Sequence, residues 1–285
     1  MRSTNQSCWR YLYTEASILR SLASLFIGSR AESVAQLDRA IIIAGPAGVG
    51  RHDFVLSLIA KIQDQDQSAF QLRADADVQT VRLPDNNIVC SDSLPLPSAL
   101  NEVPIYDPPS LMAFRTKASS TPFILRGYAK GWPALNEHPW GSLSYLRRVA
   151  GPSRLVPVEV GLDYRDEGWS QDNMPWDDFL DTLKHSSDDL GSRGTIYMAQ
   201  HSLFRQFPSL ENDIEIPDYV YADLDAPENF PSYIPPGNDQ QLVISSWLGP
   251  KGTITPAHTV SDTSAIYWLA SLIRFSAGSF FQSLQ

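Results

Sequence analysis

The stretch Gln241–Thr259, QLVISSWLGPKGTITPAHT, decides how the rest of this 285-residue chain is interpreted. In its first half, apolar side chains occur at both even and odd positions, which is typical of a strand covered on both faces. They are Leu242, Val243, Ile244, Trp247 and Leu248. Gly249 and Pro250 predict a turn after this strand. The β-branched run 253–255 predicts a second short strand, so His258 is expected at a strand end.

His258 has two interpretations. On spacing alone it is a hydrogen-bonded residue at the rim of a sheet. The string from Trp247 to His258, however, resembles the metal-binding segment W-[FL]-G-P-x-G-T-x-[ST]-P-x-H-x-D of the JmjC-type oxygenases, which use Fe(II) and 2-oxoglutarate as cofactors. This resemblance implies that His258 is the first iron ligand.

The resemblance breaks two residues after His258. The iron site of such oxygenases uses two histidines and one carboxylate, and Val260 stands where the carboxylate is required. Asp262 is the one acid that follows, and no later histidine exists in the sequence. Arg274 is the one later basic residue, and we do not expect it to bind the far carboxylate of 2-oxoglutarate. We therefore expect a truncated JmjC domain in which His258 is the only metal ligand retained.

Composition and charge limit the possible partners. The chain is 43% hydrophobic and 19% charged, with a formal net charge of -10 and a pI near 4.9, as expected for an acidic globular protein. This charge disfavours a nucleic-acid partner and favours basic segments of a protein substrate or protein partner. Two cysteines exclude a disulfide scaffold, and no apolar stretch predicts a membrane span. We expect a cytoplasmic or nuclear protein; the Arg- and Ser-rich start leaves a mitochondrial presequence as the alternative.

The first 65 residues predict a helical domain of three helices. The first has an apolar stripe at three- and four-residue spacing, ended by Gly28; the stripe comprises Trp9, Leu12, Tyr13, Ala16, Leu19, Leu22 and Phe26. Two further stripes follow at 34–42 and 54–62. Between them, residues 45–50 have the glycine spacing of a phosphate-binding loop but lack its lysine and hydroxyl, so a glycine-rich turn is favoured. Three helices with short links are expected to bury their apolar stripes against one another, and such a domain is better suited to docking than to catalysis.

Residues 66–102 are polar and predict a linker, with one short strand near 78–83. From 103 to 259 the pattern predicts strands at 121–127, 155–160 and 194–200, together with short helices around 110–114, 145–146 and 176–183. Pro157 favours an edge position for the 155–160 strand. These alternating elements predict an α+β protein.

The JmjC resemblance extends over this second region. Five segments carry this resemblance: Thr121–Gly127, Val156–Gly161, the string Gly168-Trp169-Ser170-Gln171, Tyr197–His201 and Ile216–Tyr219. They resemble the branch of the JmjC family that contains lysine demethylases and arginyl hydroxylases. The resemblance implies a helical domain followed by an incomplete double-stranded β-helix, the cupin-like jelly roll. It also implies that the Tyr197 and Thr255 hydroxyls bind 2-oxoglutarate and that Gln200 and Trp247 line the substrate pocket. The residues alone also allow a purely structural role for each of them. In that alternative, Tyr197 and Trp247 are packing residues and Gln200 bonds only to backbone groups.

The tail 260–285 has no such resemblance, and we expect its apolar segment 265–273 to be neither a cupin strand nor a membrane anchor. Val260-Ser261 can be encoded by a splice-donor consensus, so a retained intron is one hypothesis for it. Two functions remain open. The first is a JmjC protein hydroxylase or demethylase whose metal triad is incomplete and which is inactive as this chain. The second is a non-catalytic module in which the helical domain and the half-barrel bind a protein.

Overall fold

The structure is a computed structural model that describes residues 8–65, 103–117, 123–161, 167–184, 195–222, 242–250 and 253, and the backbone of 271–274 and 278–284. Three helices come first: α1 (Cys8–Phe26), α2 (Arg30–Arg39) and α3 (Arg51–Asp64). A π-helical turn, Ala40–Ala44, continues α2. All three predicted helices are confirmed, whereas the predicted linker strand lies outside the described residues.

The face that α1 buries is not the predicted apolar stripe. Thr14, Ser17, Ile18 and Ser21 are its buried residues, whereas Leu12 is 71% and Phe26 93% exposed. The reason is close packing between α1 and α2, where the Ser33 hydroxyl donates to the Ser21 carbonyl at 2.9 Å. Small side chains allow two helix backbones to approach more closely than leucine would. The prediction that the stripe is buried was therefore wrong.

The α2 and α3 stripes are buried as expected, except for Phe54, which is 42% exposed. Val34, Leu37, Ile41, Val55, Ile59 and Ile62 form one apolar cluster together with Ile18 of α1. Gly45, in the left-handed conformation, ends the π-helical turn, as is typical of a helix C-terminus. The glycine segment predicted as a turn thus separates α2 from α3.

The second region contains helices and 3-10 turns that pack around a sheet. Its helices are α4 (Leu111–Thr116), α5 (Leu143–Ala150), α6 (Trp176–Thr182) and α7 (Leu203–Gln206). Its 3-10 turns are Tyr128–Gly131, Pro133–Leu135, Pro208–Asp213 and Asp218–Tyr221. Serine caps begin two helices, since Ser110 accepts from the Ala113 amide and Ser142 from the Tyr145 amide.

Eight strands are described. They are β1 (Ile105–Tyr106), β2 (Ile124–Leu125), β3 (Leu155–Val160), β4 (Ser170–Pro175), β5 (Ile196–His201), β6 (Ile244–Pro250), β7 (Ser271–Arg274) and β8 (Gly278–Leu284). The short strands β1 and β2 pair in parallel. The other six form a sheet in the order β4-β3-β5-β6-β8-β7, with antiparallel pairing throughout. Among the described strands this sheet is open, so the fold is α+β with a cupin-like sheet that does not close into a barrel.

Two sequence expectations about this sheet were wrong. The strand that contains Pro157 is not an edge strand, because β3 lies between β4 and β5. Its register with β5 joins only Glu159 to Tyr197 and Val160 to Ile196. At Pro157 the described pairing is therefore with β4 alone, so a residue without an N–H is tolerated there.

The tail is the other correction. Residues 265–273 were expected not to form a cupin strand, yet residues 271–273 belong to β7. The strand β8 also lies in the tail and pairs with β6 along its length, from Ile244↔Leu284 to Pro250↔Gly278. The strand β7 then pairs with β8. The alternating backbone donors and acceptors of β6 would otherwise form an open edge, and β8 covers it.

The main core lies between one face of this sheet and the helices α5 to α7. Its largest buried side chains include Trp132, Trp140, Trp176, Phe179 and Leu180. The Trp176 indole donates to the Leu146 carbonyl at 3.2 Å, so α6 is joined to α5 by a buried hydrogen bond. This core leaves the opposite face of the sheet available for a site.

Candidate functional site

The sheet has a core face and a second face, and the two are set by alternation along the strands. Val158 of β3 and Met198 of β5 are buried in the main core. Their neighbours Glu159 and Tyr197 form a register pair, so both lie on the second face. Because Met198 pairs with Leu248, Trp247 of β6 belongs to the second face as well. Tyr197, predicted to bind 2-oxoglutarate, and Trp247, predicted to line the substrate pocket, are thus on one face of two adjacent strands.

A cavity of about 390 Å³ opens between this sheet and the π-helical turn. Its volume is within the ~300–1,000 Å³ that is usual for ligand sites. Six polar residues line it: Glu159, Gln171, Asp172, Asn173, Gln200 and His201. The apolar part of its lining includes Ile42 and Ile43 from the helical region and Pro157 from β3.

An irregularity in β5 brings Gln200 to this cavity. The register between β5 and β6 shifts between Met198 and His201, and Gln200 has a φ of 48°. A bulge with one left-handed residue changes the direction of successive side chains, and here Ala199, Gln200 and His201 all line the cavity. The predicted role of Gln200 as a pocket residue is consistent with this position, whereas Trp247 does not line the cavity.

Glu159 is the residue of this site that sequence reasoning missed. Its carboxylate accepts a hydrogen bond of 3.3 Å from the Trp169 indole, which fixes the direction of one oxygen. The available signal was an acid between Val158 and Val160 in an otherwise apolar strand. A carboxylate on a half-buried strand is uncommon unless it has a partner or a ligand.

The Tyr197 ring packs closely against the backbone of Gly249, near the end of β6. A Cβ on Gly249 would lie 2.8 Å from the Tyr197 ring and 2.5 Å from the Thr253 hydroxyl oxygen. Glycine at this position therefore allows the end of β6 to pack directly against Tyr197. This contact brings together two parts of the sequence that were predicted to form one site, although the Tyr197 ring does not line the cavity.

A buried polar network fastens the helical region to the sheet. The Asp38 carboxylate at the end of α2 is fully buried. It accepts hydrogen bonds from the Arg154 guanidinium at 2.8 Å, from the Leu155 amide at 2.8 Å and from the Gln206 side chain at 2.8 Å. Three donors satisfy a buried carboxylate that would otherwise be strongly unfavourable. No periodic pattern in the sequence indicates a contact between residues 116 positions apart.

His201 connects this network to the cavity. The Gln206 amide nitrogen donates to Asp38 and Leu155, so its oxygen is the acceptor for His201 Nε2 at 2.7 Å. Burial lowers the pKa of His201, and the hydrogen bond that the imidazole donates to Gln206 and the charge of Asp38 oppose this effect. The imidazole is therefore neutral near pH 7 and carries its proton on Nε2.

The predicted metal centre falls outside the described residues. His258, Thr255, Val260 and Asp262 all lie there, so the roles of His258 and Thr255 remain predictions. Arg274 is in β7, of which only the backbone is described. Within the residues whose side chains are described, no group of three or more His, Cys, Asp or Glu could hold a metal ion.

The donor set can nevertheless be tested against iron. An imidazole with a valine two residues later supplies one of the three protein ligands that a two-histidine, one-carboxylate iron site requires. The residues present therefore do not fit a resident iron ion. For 2-oxoglutarate, Tyr197 is the one member of the predicted pair whose side chain is described, and its ring lies beside Gly249.

The family assignment follows from comparison with known proteins. A family model described as a cupin-like domain matches residues 110–264, more than half of the chain. The chain belongs to the cupin-like domain family. Lysine-specific demethylase 8 of Danio rerio is 39% identical over 168 residues, which cover 58% of this chain and 37% of that relative. The JmjC resemblance inferred from the sequence is confirmed.

Two further relatives agree with this assignment. JmjC domain-containing protein D of Dictyostelium discoideum is 38% identical over 156 residues, covering 53% of this chain and 34% of that protein. Jumonji C domain-containing protein 5 of Drosophila melanogaster is 38% identical over 159 residues, covering 55% and 36%. This cupin-like chain is thus matched over about a third of the length of these relatives. In the part of the chain that the structure describes, no helix is long and apolar enough to cross a membrane.

Proposed function

We propose that the cavity bounded by Glu159 and Gln200 binds a cationic side chain of a protein, as the recognition site of a JmjC-type protein hydroxylase or demethylase. The supporting observation is the chemistry of its lining. Glu159 contributes a carboxylate and three further residues contribute amides, while no lysine or arginine is among the described residues that line it. An ammonium or guanidinium group has several N–H donors and no acceptor, so it suits a wall rich in oxygen acceptors.

The direction of the Glu159 carboxylate supports the same assignment. The Trp169 indole donates to one of its oxygens, and a carboxylate can accept about four hydrogen bonds in total. A bound guanidinium could therefore share this carboxylate with the indole. The neutral state of His201 means that no positive charge in the lining opposes a cationic ligand.

The overall charge favours a basic protein segment as the ligand. A formal net charge of -10 raises the local concentration of positively charged partners and speeds their association at low salt. The name of the Danio rerio relative, a lysine-specific demethylase, is compatible with a cationic side chain as the target. For this chain the protein substrate or partner remains part of the proposal.

We further propose that this chain does not turn over 2-oxoglutarate. Iron and 2-oxoglutarate would supply the oxidising chemistry in such oxygenases, but the single histidine ligand does not fit iron here. The residues of this chain would therefore bind and orient a side chain without chemistry. A non-catalytic protein-binding module is the second candidate function, and Val260 in place of a carboxylate is the observation that favours it.

A peptide-binding experiment tests the proposal. Labelled pentapeptides with a central arginine, lysine or methionine are titrated with the full chain and followed by fluorescence anisotropy. The two cationic peptides are expected to bind at least tenfold more tightly than the methionine peptide, because a charge-assisted hydrogen bond contributes about 1.5–3 kcal/mol. Equal affinity for all three peptides would contradict a cation site.

Matched variants then locate the site. Glu159→Gln is expected to weaken the cationic peptides by roughly tenfold, whereas the exposed Glu137→Gln changes the net charge equally and should leave affinity nearly unchanged. Succinate formation with added iron and 2-oxoglutarate is measured in parallel. Stoichiometric turnover would refute the inactive, binding-only assignment without affecting the peptide result.

A further inference from the structure

We propose that Ile42 and Ile43 of the helical region form a specificity wall that binds an apolar residue next to the cationic side chain. The inference rests on the proposed function, because it assigns the other half of the same cavity. The two isoleucines line this cavity opposite the acidic and amide groups of the sheet. The helical region is thus part of the binding site and not only a separate docking unit, as its sequence had suggested.

The π-helical turn explains how the two isoleucines face the cavity. Ala40, Ile41 and Ala44 of this turn are buried, and Ile41 packs in the core of the helical region. Ile43, by contrast, is 40% exposed. A π-helical turn inserts an extra residue and rotates the following side chains relative to a regular helix. The rotation separates one core-facing isoleucine from two that are available to a ligand.

The wall is held in a fixed position relative to the sheet. Asp38 lies two residues before the turn and accepts hydrogen bonds from Arg154, Leu155 and Gln206. Gln63 of α3 donates to the Pro152 carbonyl at 2.7 Å, which adds a second attachment near the sheet. Two polar attachments on different helices restrict both sliding and rotation, so an apolar side chain can be selected by shape.

A third attachment lies on the far side of the glycine turn. His52 Nε2 lies 2.7 Å from the carbonyl oxygen of Arg205, which belongs to the same helix as Gln206. His201 is both a lining residue and a partner of Gln206. The same polar contacts therefore hold the isoleucine wall and the bulged strand that carries Gln200.

The shape and chemistry of the cavity define the ligand class. One side offers the Glu159 carboxylate and several amides, and the other offers branched apolar side chains. An extended peptide with a lysine or arginine beside a leucine-sized residue satisfies both sides, whereas a serine neighbour leaves the isoleucines without an apolar contact. Burial of a leucine side chain against such a wall is expected to raise affinity by roughly tenfold.

The test uses two labelled pentapeptides with a central arginine, one flanked by leucines and one by serines, titrated with the full chain. The chain is expected to bind the leucine-flanked peptide about tenfold more tightly. Ile43→Ser should abolish this preference without changing the affinity for the serine-flanked peptide, and Ile43→Leu should retain it. Val49→Ser is the matched control, because Val49 is fully exposed in the neighbouring turn and does not line the cavity.

The outcomes separate the two proposals. If Ile43→Ser still binds the leucine-flanked peptide more tightly, while Glu159→Gln lowers the affinity for both peptides, the specificity wall is refuted and the cation site remains supported. Equal weakening of both peptides in Ile43→Ser, with an unchanged melting temperature, also overturns the wall. If neither peptide binds the chain, or if Glu159→Gln leaves the affinity for both peptides unchanged, the proposed function fails and the inference fails with it.

Discussion

Removal of the Asp38 carboxylate is the perturbation whose effect the structure predicts most directly. Asp38 is fully buried and Arg154 is 5% exposed. Asp38→Ala would leave the guanidinium buried with one remaining carbonyl partner at 2.9 Å, that of Gln206, and a weak one at 3.4 Å. Breaking a buried ion pair from one side costs about 3–5 kcal/mol, a large part of the ~5–15 kcal/mol that usually stabilises a folded protein.

The assay is urea denaturation followed by circular dichroism. We expect a loss of about 3–5 kcal/mol in the free energy of unfolding for Asp38→Ala. The double variant Asp38→Leu with Arg154→Met removes both charges and should recover part of this loss, because no buried charge is left unpaired. The recovery is incomplete, because the Leu155 amide and the Gln206 side chain lose the acceptor that Asp38 provides. Recovery would show that the unpaired charge, and not lost packing, causes the destabilisation.

A control on the same helix separates burial from charge. Glu32 and Arg39 also form an ion pair at 3.0 Å, but both side chains are substantially exposed. Glu32→Ala is expected to change stability by less than about 1 kcal/mol, since solvent screens an exposed pair. A loss below about 1 kcal/mol for Asp38→Ala itself would refute the reasoning, because the buried network would then contribute no more than a surface pair.

Two further predictions concern the sheet. Gly249→Ala should destabilise the chain by about 1–3 kcal/mol, because its Cβ would lie 2.5 Å from the Thr253 hydroxyl oxygen and 2.8 Å from the Tyr197 ring; Gly131→Ala, with no atom within 4 Å, is the control in the same melting experiment. Burial lowers the pKa of His201 in the folded state. The contribution of the neutral imidazole to stability is therefore present above the unfolded pKa of about 6.5 and is lost as pH falls through the folded pKa. The free energy of unfolding falls by up to about 1.4 kcal/mol per pH unit in this window. His201→Gln should reduce the slope of stability against pH between about 6.5 and 5, and an unchanged slope would show that this imidazole titrates normally.

Local patterns predicted the individual elements well because their causes are local. The predicted strand 155–160 matches β3 at both ends. The strand predicted in the stretch that begins at Gln241 corresponds to β6, which begins three residues later, at Ile244. Apolar alternation and glycine or proline ends depend on neighbouring residues alone. The same reasoning failed for Pro157, because the position of a strand within a sheet depends on which distant strands pair with it.

The candidate site was predicted only in part. Tyr197, Gln200 and Trp247 were singled out through the JmjC resemblance, and the structure places them on adjacent strands. Only Gln200 lines the cavity, because a bulge redirects β5 at this point. Glu159 was missed because its significance arises from the Trp169 indole and from the cavity, neither of which a period-two pattern encodes.

The sequence by itself determined the three helices, the main strands and the membership in a JmjC-like family, because periodicity and a specific motif are properties of short segments. Only the tertiary structure decided which face of α1 is buried, since close contact between Ser21 and Ser33 outweighed the apolar stripe. It alone also joined Asp38 to Arg154 and placed Ile43 opposite Glu159. Contacts between residues more than 100 positions apart depend on how all the elements pack together, and no local pattern specifies them.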